Sequence, residues 1–278
     1  MFRGLMTRLL TKNLYLEALD RLQWLRKFEY APFADVPTLT ASDYFDLAKN
    51  ASVRVFPEID SFEEKYGFRI DKDWLDELAL HTVVGVQKKG QINYTNGRVL
   101  YAAIRQYLES TNGPITILES GTSRGFSAIC MARAVNDSSK NARILTIDPL
   151  PVKRDIFWNC IDDLEGKKTR LELLNRYAQY LQYIIFFEGK TVELSRFEIP
   201  RIGFAFLDGA HTYHNVMEEV CYVSERQQKN DVILFDDVTP GYYKGVAKAV
   251  KETETSFPYT VSYFSSEESR GFALAVHD

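Results

Sequence analysis

Residues 115–125 read ITILESGTSRG, and FSAICMARAV follows directly. A β-branched run ends in Glu119, a turn bracketed by Gly121 and Gly125 comes next, and a helix-period segment begins after it. That order predicts a buried strand, a tight loop and a helix meeting at a ligand-sized crevice. The dinucleotide fingerprint G-x-G-x-x-G would need glycines where this chain has Glu119 and Arg124, so it fails at two of its three positions. A carboxylate in place of the first glycine repels phosphate and attracts a cation, so the loop points to a positively charged ligand.

Four further apolar runs repeat the pattern. ARILTID ends in Asp148, YIIFF (183–187) runs into Glu188, Gly189 and Lys190, IGFAFLD ends in Asp208, and DVILFDD ends in Asp236 and Asp237. These acids fall at the carboxyl ends of strands of parallel type, where the loops of an open α/β sheet converge on a ligand. Asp148 suits the ribose hydroxyls of a nucleoside, or a turn before Pro149. Asp208, Asp236 and Asp237 would sit on neighbouring strands about 5 Å apart and repel one another unless a cation or protonation relieved them. An oxygen-only set suits Mg2+. The competing reading makes Asp208 a cofactor contact or helix cap, and Asp236 and Asp237 turn residues before Pro240. His211 follows Asp208 by three residues, and an imidazole with a pKa of about 6.5 accepts a hydroxyl proton at neutral pH. His214 could instead pair with His211 on zinc, although no cysteine or third histidine is near.

From about residue 95 to 278 the chain resembles the Rossmann-like, class I S-adenosylmethionine-dependent methyltransferases, whose first motif is an acid, a glycine loop and a helix. In D-G-A-H-T-Y (208–213) and the acids after the fifth strand it resembles the metal-dependent catechol and macrolide-sugar O-methyltransferases. The resemblance implies an α/β fold: a mostly parallel sheet of seven strands, the last antiparallel, flanked by helices. It divides the chain into a helical cap over residues 1–90 and a cofactor-binding domain over 91–278. It implies S-adenosylmethionine held by Glu119, Gly121, Thr122, Ser123, Gly125, Asp148, Gly189 and Asp208, with Mg2+ on Asp208, Asp236 and Asp237. His211 would be the general base, with Asp208 as the second catalytic residue. The expected reaction is O-methylation of a hydroxylated small molecule: a sugar, a glycosylated metabolite or a phenol. Two other readings stay open, a non-catalytic cofactor-binding protein of the same fold and an NAD(P)-dependent oxidoreductase.

The rest of the chain sets bounds. Its 278 residues, 45% hydrophobic, suffice for one α/β core with an extension. A net charge of −4 argues against nucleic acid as a partner. Three scattered cysteines, 130, 160 and 221, argue for a reducing compartment, hence the cytoplasm. No apolar run reaches membrane-spanning length. Residues 5–28 read as an amphipathic helix that docks on the body or on a second copy in a homodimer, with a targeting segment as the alternative. A turn-rich stretch with Pro32, Pro37 and Pro57 leads to helices around DWLDELAL and NGRVLYAAIRQYLE. Tyr30, Phe33, Tyr44 and Tyr94 either line the pocket or fill the cap's own core. Residues 152–180 read as one or two helices inserted after the second strand, and PYTVSYF with GFALAVH as a closing hairpin.

Overall fold

The two-residue period of the strand sequences puts alternate side chains into two different cores, and this builds the architecture of the computed structural model. The structure describes residues 32–33, 39–85, 91–196, 198–209 and 211–278. The helix expected over 5–28, the homodimer contact assigned to it, Tyr30 and Pro37 lie outside the described residues. Helices α1 (Ala41–Ser52), α2 (Pro57–Tyr66), α3 (Lys72–Thr82) and α4 (Thr95–Ser110) precede the sheet. Then come β1 (Ile115–Ser120), α5 (Phe126–Ser138), β2 (Ala142–Asp148), α6 (Arg170–Leu173), α7 (Ala178–Leu181), β3 (Ile184–Glu188) and β4 (Phe204–Leu207). Helix α8 (Tyr213–Ser224), β5 (Val232–Phe235), α9 (Lys244–Ser256), β6 (Tyr259–Glu267) and β7 (Arg270–His277) complete the chain.

The seven strands are ordered β3-β2-β1-β4-β5-β7-β6. Strands β1 to β5 pair in parallel, and β7 enters antiparallel between β5 and β6. The sheet is therefore mostly parallel with the reversed last strand that the resemblance implies. In β4, Phe204 and Phe206 join one core with Leu100, Ile104 and Ile129 of α4 and α5. Ala205 and Leu207 point the other way, to Val216 and Val220 of α8 and Val250 of α9. Both faces of β4 and β5 are covered, which is why FAFL and VILF read as unbroken apolar runs. The first core also takes in Ile59, Phe62, Leu75 and Leu78, so α2 and α3 share the hydrophobic interior of the sheet domain.

Strand order reverses between β1 and β4, which opens a crevice at their carboxyl ends. Residues 152–180 are not the regular helices expected. They form 3₁₀ turns at Ile161–Glu165 and Asn175–Tyr177 with the four-residue α6 and α7. The segment has its own small core, in which Trp158 packs with Leu150, Ile156, Cys160 and Leu173. A bridge between Ile156 and Lys168 closes it. Packing around a buried indole outweighs the helix propensity of its Lys, Arg and Leu residues.

Phe204 is fully buried at the centre of the sheet, against Tyr107 at 6.0 Å between ring centroids. Phe204→Ala is expected to cost about 3–5 kcal/mol, read as a lower midpoint in urea unfolding with an unchanged slope.

Candidate functional site

The loop after β1 is shaped by two glycines with left-handed backbone. Gly121 has φ +95, and a Cβ there would sit 2.5 Å from the backbone oxygen of Asp208, so only glycine lets the β1 loop touch the end of β4. Gly125, φ +92, opens α5 and lies against Leu174. Between them Ser123 takes φ +47 and donates its backbone N–H to Asp148 Oδ2 at 2.8 Å. Asp148 Oδ1 accepts from the Leu150 N–H at 2.6 Å. The expected ribose ligand is thus also the brace that joins the glycine loop to the end of β2. Arg170, fully buried, stands 3.7 Å behind it.

Glu119 and Thr122 are turned inward. The Thr146 hydroxyl donates to Glu119 Oε2, and Thr122 Oγ1 bonds Thr146 Oγ1. Burial pushes the Glu119 carboxyl up to about 7, against the pull of the Ser127 and Thr146 hydroxyls. Its Oε1 is buried without a hydrogen-bond partner. Gly189 donates its N–H to the Asp148 carbonyl at 3.0 Å, and a Cβ there would sit 2.3 Å from Glu193 Oε2. The Glu193 side chain could swing aside from such a Cβ, so the packing alone does not require glycine.

On the other side of the crevice, Asp208, His211 and Asp237 come together, each offering one ligand atom within 4.8 Å of the others. Asp237 has φ +58, a left-handed conformation that turns the chain out of β5 and aims its carboxylate at the imidazole. His211 Nε2 lies 2.9 Å from Asp237 Oδ2, and the ring stacks on Tyr243 at 4.7 Å. The hydrogen bond that His211 donates to Asp237 raises the His211 pKa above 6.5, over the opposing effect of burial. Gly245 lets the start of α9 rest on this segment, since a Cβ there would sit 2.5 Å from the His211 carbonyl oxygen.

Asp236 does not join the cluster as a free ligand, which corrects the metal trio expected from the sequence. Its carboxylate is fully buried and gripped by the Arg270 fork, Nε to Oδ1 at 3.2 Å and Nη2 to Oδ2. Oδ1 also accepts the Asp237 N–H at 2.8 Å. Burial and the neighbouring Asp236 and Asp237 carboxylates push Asp208 well above the usual carboxylate range. The zinc alternative fails as well: His214 is exposed and pairs with Glu218 at 3.2 Å, away from His211. His81 is structural, its Nδ1 2.5 Å from Asp162 Oδ2 in the interior.

A second buried acid lies beneath the same loops. Glu219 Oε1 accepts from Ser120 Oγ at 2.5 Å and from Thr191 Oγ1 at 2.8 Å, and burial pushes its carboxyl up to about 7. Sequence reasoning passed over Glu219, although it shares the buried face of α8 with Val216, Val220 and Val223. Arg270 left no local signal, because its partner is 34 residues away.

Residues 118–238 match the family model described as a methyltransferase domain. No curated protein is matched. Among solved structures, the chain is similar to the O-methyltransferase TomG from Streptomyces achromogenes, involved in tomaymycin synthesis and solved with its cofactor. The identity is 16% over 76% of this chain and 92% of that one, with a TM-score of 0.53. It is also similar to an O-methyltransferase from Bacillus cereus in complex with SAH, at 14% identity over 86% and 98% of the two chains and a TM-score of 0.51. Cofactor-bound Rv0187 from MTB matches with a TM-score of 0.52 at 14% identity, over 86% of this chain and 98% of that one. Among the described residues no helix is long and apolar enough to cross a membrane.

Two outcomes test this geometry. Gly121→Ala is expected to abolish calorimetric binding of S-adenosylhomocysteine, because the new methyl must displace the β4 backbone. Glu119 and Glu219 keep their protons in the folded protein between the ordinary 4.5 and about 7. The stability they contribute is full below pH 4.5 and lost as pH rises through about 7. Glu119→Gln is therefore expected to flatten that decline by up to a few kcal/mol in unfolding free energy measured across the window. The reversed strand, the crevice between β1 and β4 and the likeness to these solved structures give the chain the fold of those O-methyltransferases, and its residues 118–238 match the methyltransferase-domain model.

Proposed function

We propose that the protein is an S-adenosylmethionine-dependent O-methyltransferase acting on a hydroxylated small molecule, with His211 as general base. The observation that carries this reading is the adjacency of two features. The glycine loop at Gly121 lies against the backbone of Asp208, and the same β4 end leads into a histidine held 2.9 Å from Asp237. A cofactor bound at the first feature would have a proton acceptor beside it at the second.

The cofactor supplies an electrophilic methyl group on a sulfonium, together with a cationic amino-acid end and a ribose. The residues present fit such a group. The backbone around Gly121 and Ser123 forms the cradle, Asp148 stands at the end of β2 for the ribose, and the unpartnered Glu119 Oε1 is an acceptor suited to an ammonium. Asp237 accepts the Nε2 hydrogen of His211, which leaves Nδ1 as the basic nitrogen. A substrate hydroxyl held beside His211 would pass its proton to Nδ1, and the bound cofactor would supply the methyl group, its sulfonium leaving as the thioether. The resulting imidazolium is stabilised by Asp237 and leans on the Tyr243 ring. Asp208, whose pKa burial and its carboxylate neighbours raise well above the usual range, would donate a hydrogen bond into the crevice in its protonated form. The Mg2+ expected on three aspartates does not fit the donor set, since Arg270 holds both oxygens of Asp236. His211 and Asp237 together provide the route for the proton.

His211→Ala is expected to lower turnover by about 10²–10⁴-fold at saturating cofactor, while calorimetric affinity for S-adenosylhomocysteine stays within a few-fold. Mass spectrometry of acceptor screens should find products heavier by one methylene unit. Binding of NAD in place of S-adenosylhomocysteine would sink the reading. Because Asp237 raises the His211 pKa, the rising limb of kcat/KM against pH should lie above 6.5 and shift down in Asp237→Asn.

A further inference from the structure

The cation that the acid-rich end of β5 requires is already part of the chain. Arg270 opens β7, and its position is determined from several directions at once. Nε and Nη2 grip the two oxygens of Asp236, while Nη1 donates to the Asn93 carbonyl at 3.0 Å. The next residue, Gly271, accepts the Val238 N–H at 2.8 Å, and a Cβ on it would sit 2.5 Å from the Val238 carbonyl oxygen. β7 therefore begins in direct contact with the loop that follows Asp237. The contacts of Arg270 are themselves braced. The Asn93 amide donates to Glu267 Oε1 at 2.8 Å and to Ser266 Oγ at 3.0 Å. Arg54 pairs with Glu267 and donates to the Ile92 carbonyl at 2.8 Å. A guanidinium held by a planar two-point fork and anchored at its third nitrogen is a fixed charge, unlike a surface arginine free to swing away.

We propose that Arg270 is the built-in counter-ion of this centre. It does for Asp236 what a divalent ion would do, so Asp236 is a positioning residue for Arg270 and β7 and does not act as a metal ligand. It follows that removing the guanidinium, and not adding metal, is what would create a high-affinity cation site among Asp208, Asp236 and Asp237. The inference rests on the methyl-transfer reading only where activity is measured, because metal occupancy can be followed without turnover.

The test is a titration of the full-length protein with Mn2+, followed by electron paramagnetic resonance and calorimetry. Arg270→Met is expected to bind Mn2+ at least tenfold more tightly than the wild type, and adding Asp236→Asn to it should remove the gain. A wild type that already binds as tightly as Arg270→Met would overturn the proposal. Should Arg270→Met fail to fold, Arg270→Gln decides. A glutamine keeps a hydrogen-bond donor for Asp236 but not the charge, so a severalfold gain in affinity supports the proposal and affinity equal to the wild type overturns it. In an activity assay, turnover of the wild type should survive dialysis against EDTA. Loss of turnover that Mn2+ restores would also refute the proposal, whereas absence of methyl transfer under any condition would count against the proposed function and leave the binding result standing.

Discussion

Mutual repulsion among carboxylates at one rim of the sheet is the constraint to which the rest of the site answers. Asp208, Asp236 and Asp237 follow neighbouring parallel strands, and Asp236 is fully buried. Three ionised groups in that arrangement could not coexist unrelieved. The fold relieves each in a different way. Asp236 has the Arg270 guanidinium, Asp237 has the His211 imidazole, and Asp208, with neither, keeps its proton to well above the usual range. The three outcomes make one charged pair, one imidazole pair and one carboxyl of raised pKa out of three identical side chains. That division of roles comes from where each carboxylate points, and the left-handed turn at Asp237 does most to separate them.

The same logic extends under the crevice between β1 and β4. Glu119 and Glu219 lie on opposite faces of the sheet on either side of the β1 end, each desolvated and each bonded to hydroxyls: Thr146 for one, Ser120 and Thr191 for the other. Near neutral pH the lining of the crevice is thus less anionic than the sequence suggests. An incoming cationic ligand would reverse that by favouring the charged carboxylates, so ligand binding and proton release are expected to be coupled. Packing requires the loops to meet closely, and the glycines at 121 and 245 are placed where backbone of one loop rests on backbone of the next.

Much of this was legible in the chain. The strand ends, the glycine loop, the reversed final strand and the approach of His211 to the aspartates follow from local patterns, because each is encoded within a dozen residues or by the rule that parallel strands end on one rim. What stayed hidden depends on contacts distant in sequence. Arg270 meets Asp236 across 34 residues and Asn93 across 177, and no periodicity records such a pairing. Residues 152–180 misled for a related reason. Their composition favours helix, but the buried Trp158 and Arg170 organise the segment around side chains instead of a regular backbone. Glu219 was within reach: an acid on the apolar stripe of an amphipathic helix is a buried polar group in want of partners, and its partners are Ser120 and Thr191.

An ion at the rim would have to contend with the arginine already there. At an effective dielectric of about 20, a unit charge and a divalent ion ~5 Å apart repel by about 7 kcal/mol. Breaking the Arg270 fork would also leave the fully buried Asp236 carboxylate without its partner, a loss of about 3–5 kcal/mol. Attraction from Asp208 and Asp237 works in the opposite direction, but His211 already occupies one of them and burial disfavours charge on the other. A hard ion also prefers oxygen to the imidazole that the third corner offers. The acids at this rim therefore do not by themselves imply a metal: once β7 places an arginine against the middle carboxylate, that carboxylate belongs to a structural ion pair and its neighbour Asp237 to an imidazole.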